Sequence, residues 1–254
     1  MAIEEAAAAG PPLEVQFSIR GTLSTSLAVF GRNLPPFLII SAVVSLPYFA
    51  LQTWLDYLEA QGEIDPDSAF GSSGLVMIGV QTITFGVLQA VLTYGTIQDL
   101  RGQRGGIGDS FRGGFAHLGE VLSGALIYGL LLGLATMLLI IPGVVLYLRW
   151  WVFMPAMVIE KLKTGASFDR SAKLTAGRRW AILGLATVVF ATQLLLVIAG
   201  VLLLPIDSFL AAILVTLIVV LFSTFSSVVA AVGYYHLRAE KEGVIIDDIA
   251  KVFD

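Results

Sequence analysis

The chain of 254 residues is 57% hydrophobic, only 13% charged and carries a net charge of −4 at pH 7. Ordinary soluble domains carry about 25% charged residues, so one water-facing globule could not bury this much apolar surface. The composition therefore indicates a membrane protein. Because the sequence contains no cysteine, disulfides and thiolate metal sites are excluded.

Residues 1–16 are rich in alanine and glutamate and are interrupted by a Gly-Pro-Pro sequence. This composition predicts a disordered N-terminal tail rather than a signal peptide, which needs a basic start and a longer apolar core. In residues 17–32, four apolar side chains recur at helical spacing: Ile19, Leu23, Leu27 and Phe30. They favour a short amphipathic helix on the membrane surface, with a frayed extension of the next helix as the alternative.

Apolar runs follow at about 34–55, 75–98, 118–141, 143–159, 180–204 and 209–235. A transmembrane helix needs about 20 mostly apolar residues, so five of these runs are clearly long enough to span. The fourth is short and contains Arg149. Pro142-Gly143 separates it from the third run, which predicts a tight turn between two spanning helices. A long kinked segment that enters only part of the membrane is the alternative.

The basic residues predict how the helices are oriented. With six spanning helices and both termini in the cytoplasm, every Lys and Arg except Arg149 falls on the cytoplasmic side. The loop 56–73, which is then external, is acidic. A five-helix arrangement would place either the basic segment 161–179 or the basic C-terminal region outside, so the charges favour six helices.

Each pair of spans is preceded by a polar or basic, weakly amphipathic stretch, at 17–33, 104–117 and 163–179. The sequence thus predicts an all-α, polytopic membrane protein with six transmembrane helices as three hairpins and short amphipathic interfacial helices. The pattern favours a threefold repeat, and the transmembrane domain is assigned to residues 17–237.

Residues 238–254 are charged and predict a cytoplasmic C-terminal tail. Ile245, Ile249 and Val252 recur at helical spacing, which favours a short helix able to dock on the protein or on a partner. Tyr235, just before the tail, is typical of an anchor at the membrane–water interface.

Arg149 is the first candidate for a functional site, because a charge in the middle of a membrane helix costs roughly 2.5–3.5 kcal/mol on insertion scales. No other span carries a mid-membrane carboxylate to pair with it. The second span offers a polar face instead, formed by Thr82, Gln89, Thr93 and Thr96. Together these residues predict either an anion or lipid-headgroup site, or a structural arginine that bonds to backbone carbonyls and to the threonines.

The densest basic cluster predicts a contact with anionic lipid headgroups on the cytoplasmic side. Its members are Lys161, Lys163, Arg170, Lys173, Arg178 and Arg179. A Lys or Arg near an anionic membrane surface contributes about 1 kcal/mol of attraction. The alternative is that these charges only set the topology. Nucleic-acid binding is not expected, since the chain has no soluble basic domain.

Two spans carry small residues at every fourth position. They are Ala125, Gly129 and Gly133 in the third span and Ser223, Ser227 and Ala231 in the sixth. Such ridges let helices approach closely, and packing within the chain is favoured over homodimerisation.

No residue pattern indicates catalysis. His117 and His236 are the only histidines, and neither has metal-ligating neighbours at a useful spacing. The sequence contains neither a phosphate-binding Gly-Lys-Ser/Thr loop nor a Gly-x-Ser-x-Gly turn. We therefore expect neither an enzyme nor a cofactor.

Short motifs between residues 142 and 177 nevertheless resemble a known family. They are Pro142-Gly143, Arg149-Trp150, Pro155-Ala156, Glu160, Arg170-Ser171, Leu174-Thr175 and Gly177. With residues 31–37 and 235–243, they make the chain resemble the glycerophosphoryl diester phosphodiesterase membrane domain family of polytopic bacterial proteins. Some members fuse this part to a soluble phosphodiesterase barrel, for which this chain has no room.

The resemblance implies a multi-pass protein of the bacterial inner (plasma) membrane without catalytic residues. The favoured hypothesis is a non-enzymatic membrane module that assists a protein partner through residues 161–179 and the C-terminal tail. The alternative is a small permease or lipid-handling protein with an intramembrane site around Arg149. An enzyme that acts on lipid phosphodiesters is the weakest of the three hypotheses.

Overall fold

The computed structural model describes residues 17–63, 72–103, 105–203 and 209–243. The helices of this part of the chain are α1 Ile19–Arg32, α2 Leu34–Ala60, α3 Ser72–Leu100, α4 Ile107–Phe115, α5 Leu118–Leu138, α6 Ile140–Arg149, α7 Phe153–Glu160, α8 Thr164–Thr175, α9 Arg179–Leu203 and α10 Phe209–Glu242. The predicted tail 1–16 and the predicted short helix near the C-terminus lie outside the described residues.

Six helical segments are long and apolar enough to cross a membrane: α2, α3, α5, the segment Ile140–Glu160 that comprises α6 and α7, α9 and α10. Only 17% of the most apolar window of α5 and of α9 is buried inside the protein, so most of their apolar side chains face outward. Such surfaces require lipid as the solvent. The predicted all-α polytopic membrane fold with six spans is therefore confirmed.

The spans pack as three hairpins, α2 with α3, α5 with α6–α7, and α9 with α10. Polar contacts bring one end of each hairpin to the same end of the bundle. Arg32 pairs there with Asp99 at 2.6 Å and Arg178 with Glu240 at 2.7 Å, and the Tyr234 hydroxyl donates to Glu160, at the end of the middle hairpin, at 2.8 Å. We call this end of the bundle the basic end.

The three hairpins have the same pattern of neighbours. Each short helix packs on the second helix of the hairpin before it: α4 on α3, α8 on α7 and, closing the ring, α1 on α10. Those second helices, α3, α7 and α10, contact one another at the centre, while α2, α5 and α9 lie outside them. This cyclic arrangement agrees with the predicted threefold repeat of a short helix followed by a hairpin.

The short helices face the bundle with small and hydroxyl-bearing residues. Their buried small residues are Thr22, Ser26 and Val29 in α1, Ser110 and Gly114 in α4, and Ser167, Ser171 and Thr175 in α8. A Cβ atom on Gly114 would lie only 2.7 Å from the Val91 Cα, which shows how closely α4 approaches α3. In α1 the small residues make the contact with the bundle. The predicted apolar face lies beside them, and its Leu27 is 59% exposed.

Prolines set both breaks in the fourth span. Pro142 and Pro155 are each the third residue of a helix, α6 and α7. A proline is tolerated in the first helical turn, but its ring excludes a continuous helix through the residue four positions earlier. The turn between α5 and α6 accordingly lies at Leu139, which is extended, and not at Pro142-Gly143, so the predicted position of the corner was wrong.

The glycine of that pair has a packing role instead. A Cβ atom on Gly143 would lie 2.3 Å from the Thr136 Oγ1, so the hairpin between α5 and α6 closes this tightly only with glycine there. The whole segment Ile140–Glu160 is 21 residues long, longer than the predicted run 143–159.

The last span also extends further than predicted. Helix α10 continues to Glu242, so the first five residues of the predicted C-terminal tail, 238–242, are helical. An ion pair between Arg238 and Glu242 at 2.9 Å, four residues apart, stabilises this extension.

Candidate functional site

Helix α8 satisfies the backbone groups that the break between α6 and α7 leaves open. The Ser171 hydroxyl donates to the Arg149 carbonyl oxygen at 3.1 Å and accepts from the Val152 N–H at 3.2 Å. The Thr175 hydroxyl donates to the same carbonyl oxygen at 3.2 Å. Since unpaired backbone groups are costly in an apolar environment, these two side chains hold the break in place.

Arg149 enters this arrangement through its backbone. Its side chain is exposed in the last turn of α6, where a cation interacts favourably with the helix dipole. Among the described residues, no ion pair joins its guanidinium to a carboxylate. The geometry fits the structural interpretation of Arg149 better than the ligand-binding one.

The polar face of the second span divides into two parts. Thr82 and Gln89 line a cavity, whereas Thr93 and Thr96 are fully buried and their hydroxyls have no hydrogen-bond partner among the described residues. Arg149 does not line that cavity. The structure thus does not assemble the five residues into one site.

The cavity, which we call the lateral pocket, has a volume of about 670 Å³ and lies between α3, α5, α6 and the start of α7. Its rim includes Phe85 and Met137, which are 40% and 74% exposed, so it opens on the apolar outer surface of the bundle. Polar groups of Thr82, Gln89 and Tyr147 lie among apolar walls. Apolar walls with a few polar groups are typical of ligand pockets.

The small residues of α5 explain where this pocket forms. Ala125 faces Gly86 of α3, on which a Cβ would lie 2.4 Å from the Ala125 Cβ, and Gly129 packs on Thr82. One turn further, a Cβ on Gly133 would meet no atom within 4 Å. The ridge therefore packs the two helices together at one end and leaves open space at the other.

Part of the predicted lipid-contacting cluster is used inside the protein. Arg170 pairs with Glu160 at 2.8 Å and with Glu242, Arg238 also pairs with Glu242, and the Tyr234 hydroxyl donates to Glu160 at 2.8 Å. We call these five residues the paired cluster. Burial alone would lower the pKa of Arg170, but the hydrogen bonds to Glu242 and Glu160 raise it above the ordinary value.

The other members of the predicted cluster differ in their surroundings. Arg178 pairs with Glu240, which also accepts a hydrogen bond from the Phe17 backbone N–H at 2.8 Å. Lys161, Lys163 and Lys173 are exposed, and Arg179 is half-buried. Exposed lysines are thus the part of this cluster that faces the surroundings.

A second cavity of about 480 Å³ lies at the basic end, between the end of α3, α4, the start of α5 and the end of α7. Its titratable lining residues are Tyr94, Arg101, Asp109, Arg112, His117 and Lys161, and we call it the cationic pocket. Burial lowers the pKa of the Arg101 guanidinium, and the nearby positive charge of Arg238 adds to this effect.

The sequence interpretation missed the cationic pocket because its cations are far apart along the chain. The signal was present in the glycine-rich stretch 102–114, where Arg101 and Arg112 flank the turn into α4. Packing of α4 along α3 brings these two arginines to the end of α7. Among the described residues, no group of three His, Asp or Glu side chains is arranged to hold a metal ion.

Comparison with known protein families, with curated proteins and with solved structures finds no match to this chain. Its membership of the glycerophosphoryl diester phosphodiesterase membrane domain family thus stays a prediction. The residues that carry the resemblance do form one structural unit, in which Ser171 and Thr175 hold the α6–α7 break and Arg170 holds Glu160.

Proposed function

We propose that this protein is a non-catalytic membrane protein that binds a lipid, or another molecule with an apolar chain, in the lateral pocket. The observation that carries the proposal is the position of the pocket mouth. Phe85 and Met137 place it on the surface that acyl chains cover, so an apolar ligand enters directly from the bilayer. Gln89, buried at the inner wall, supplies polar groups that orient the ligand.

This proposal changes the predicted lipid-handling site. Thr82 and Gln89 keep their place in it, while Arg149 is replaced by the tyrosines Tyr128 and Tyr147. A lipid ligand suits the lining, because the tyrosine rings offer apolar area and their hydroxyls offer hydrogen bonds.

The test compares two glycine substitutions, Gly133→Leu and Gly79→Leu. Neither glycine has another atom within 4 Å of a built Cβ, but only Gly133 lines the lateral pocket. We expect the leucine side chain at 133 to fill the pocket and to reduce the lipid that stays bound by about tenfold. The amount of lipid retained per protein is measured by native mass spectrometry after mild detergent extraction.

The control, Gly79→Leu, should retain lipid as the wild type does. Equal retention by a folded Gly133→Leu variant would contradict the proposal. Leucine favours helix, and a Cβ atom at either position would meet no atom within 4 Å, so a loss of folding is not expected from either variant.

A second candidate is a module that assists a protein partner. The exposed Lys163, which precedes α8, and Asp169 and Lys173 on α8 favour it, since they leave a charged surface beside the end of α10. Deletion of residues 244–254 together with Lys163→Gln and Lys173→Gln should then abolish the cellular phenotype of the protein while lipid retention is unchanged. The opposite pattern favours the lateral pocket.

We also propose that the basic end faces the cytoplasm of a bacterial cell and that the membrane is the inner membrane. The supporting feature is the distribution of Lys and Arg, which fits the positive-inside rule. Because the chain has no cysteine, single cysteines can report on the orientation. With an impermeant thiol reagent on intact spheroplasts, Glu63→Cys should be labelled and Lys173→Cys protected, and the reverse result would invert the topology.

A further inference from the structure

The lateral pocket has a polar lining that contains no charged side chain. Its polar lining residues are Gln81, Thr82, Gln89, Tyr128, Thr136 and Tyr147. Among the described residues that line the cavity, none is Asp, Glu, Lys, Arg or His. None of these side chains could therefore neutralise a charged group inside the cavity.

Gln89 is the buried polar group of this lining. The residue is only 7% exposed, and its side-chain amide makes no hydrogen bond to another residue in the described part of the chain. The Thr136 hydroxyl differs, because it already donates to the Leu132 carbonyl oxygen at 2.8 Å. An amide offers two donors and an acceptor, and burying them without partners is costly. These groups are available to an occupant of the pocket.

The position of Gln89 along α3 places it deep in the membrane. It precedes Asp99, which pairs with Arg32 at the basic end, by ten residues of the same helix. At a rise of 1.5 Å per residue, this separation is about 15 Å. The hydrocarbon core of a bilayer is about 30 Å thick, so Gln89 lies near its middle. A charged headgroup beside Gln89 would lose its hydration without gaining a counter-ion, which is costly.

Arg149 does not supply that counter-ion. It follows Tyr147, which lines the pocket, by two residues in α6. Successive residues of a helix are about 100° apart, so Arg149 lies about 200° around the helix axis from Tyr147. Its side chain is exposed and does not line the pocket. The arginine of the fourth span is thus not placed to pair with an anion at Gln89.

We propose that the ligand of the lateral pocket is an uncharged lipid whose polar end carries carbonyl or hydroxyl groups and hydrogen-bonds to Gln89. This inference rests on the proposed function, since it names the class of molecule that the same pocket binds. An amide donates to a carbonyl and accepts from a hydroxyl, so both groups fit. The apolar part of the ligand follows the walls to the mouth at Phe85 and Met137 and continues into the bilayer.

Two kinds of lipid have this chemistry. A diacylglycerol offers a hydroxyl and ester carbonyls, and an isoprenoid quinone offers ring carbonyls. The quinone ring would also find aromatic neighbours, since the rings of Tyr128 and Phe153 line the pocket and stack with their centroids 4.8 Å apart. A phospholipid differs from both. Its phosphate is charged, so only an acyl chain would enter, and Gln89 would stay without a partner.

The experiment uses the full chain in phosphatidylcholine nanodiscs that contain dioleoylglycerol, ubiquinone and phosphatidylglycerol. The wild type is compared with Gly133→Leu, which fills the pocket, and with Gln89→Leu, which removes its buried amide. Leucine is similar in size to glutamine, and the lost amide has no partner among the described residues, so Gln89→Leu should fold. The matched control is Gln193→Leu, in α9 and outside the pocket. Each lipid retained per protein is counted by native mass spectrometry.

We expect the wild type to retain an uncharged lipid. Gly133→Leu should reduce this retention about tenfold, and Gln89→Leu about fivefold, the change that one hydrogen bond between neutral groups produces. Gln193→Leu should retain the lipid as the wild type does. Retention of dioleoylglycerol alone would support the proposal with a glyceride as the ligand, and retention of ubiquinone alone would support it with a quinone.

Two results would overturn this inference and leave the proposed function standing. One is that Gly133→Leu releases a phospholipid and no uncharged lipid. The other is that Gly133→Leu releases an uncharged lipid that Gln89→Leu retains fully, because the polar end of the ligand would then not lie at Gln89. If Gly133→Leu retained every lipid as the wild type does, both the inference and the proposed function would be wrong.

Discussion

The paired cluster and the cationic pocket lie side by side at the basic end, and their arginines have different surroundings. The difference begins at two consecutive residues. Glu160, the last residue of α7, completes the paired cluster by accepting from Arg170 and Tyr234. Lys161 follows in the left-handed conformation, with φ of 52°, and lines the cationic pocket.

The two arginines at these sites show what the difference means. In the paired cluster, carboxylates raise the pKa of Arg170 despite its burial. At the cationic pocket, burial lowers the pKa of Arg101. The number of basic residues in a segment thus does not identify an anion site. The carboxylates near Arg170 determine the direction of its pKa shift, whereas burial determines that of Arg101.

The largest expected effect comes from removing the carboxylate of the paired cluster. Glu160→Gln keeps the shape of the side chain but leaves Arg170 with one acceptor fewer and weakens the bond from Tyr234. We expect the free energy of unfolding to fall by about 2–3 kcal/mol, since these bonds are charge-assisted and the side chains mostly buried. The measurement is unfolding in mixed micelles, followed by tryptophan fluorescence.

The exposed Glu63→Gln serves as the control and should change stability by less than about 0.5 kcal/mol. If Glu160→Gln were as stable as this control, the ion pairs of the paired cluster would not contribute to the free energy of unfolding. The paired cluster would then not differ from the cationic pocket in stabilising the fold.

A smaller effect is expected where α8 is attached to the bundle. Ser171→Ala leaves the Val152 N–H without its acceptor and removes a donor from the Arg149 carbonyl oxygen. We expect a loss of about 1–2 kcal/mol. Because α8 carries Arg170, the loss should couple to that of Glu160→Gln in a double-mutant cycle.

Thr192→Val is the matched control for this prediction, since the exposed Thr192 hydroxyl bonds only to a carbonyl oxygen of its own helix. The substitution should be nearly neutral. A simple sum of the Ser171 and Glu160 effects would show that the two contacts act independently.

Much of the fold could be predicted from hydropathy and charge. The apolar runs identified the six spans, because a membrane helix must be long and apolar. The polar stretches before each hairpin marked α1, α4 and α8. The turn at Leu139 was misplaced because the proline ring acts on the residues before it, so the break precedes the Pro-Gly pair.

The candidate sites were harder to predict, since they depend on contacts between distant segments. Hydroxyl residues such as Ser171 gave no sign in the sequence that they would bond to a helix break 22 residues away. Arg149 attracted attention by its charge, whereas its carbonyl oxygen makes the contacts. Arg101, Arg112 and Lys161 meet only after α4 has packed along α3.

The smallest expected effect tests the other side of the comparison. Arg112→Gln removes one of the three cations around the cationic pocket without breaking an ion pair described in the structure. Less repulsion between like charges should raise the free energy of unfolding by up to about 0.5 kcal/mol at low ionic strength. At 1 M salt the Debye length is only about 3 Å, so the gain should vanish there. A salt-independent loss of stability would instead mean that Arg112 is held by a structural partner, and the contrast with Arg170 would disappear.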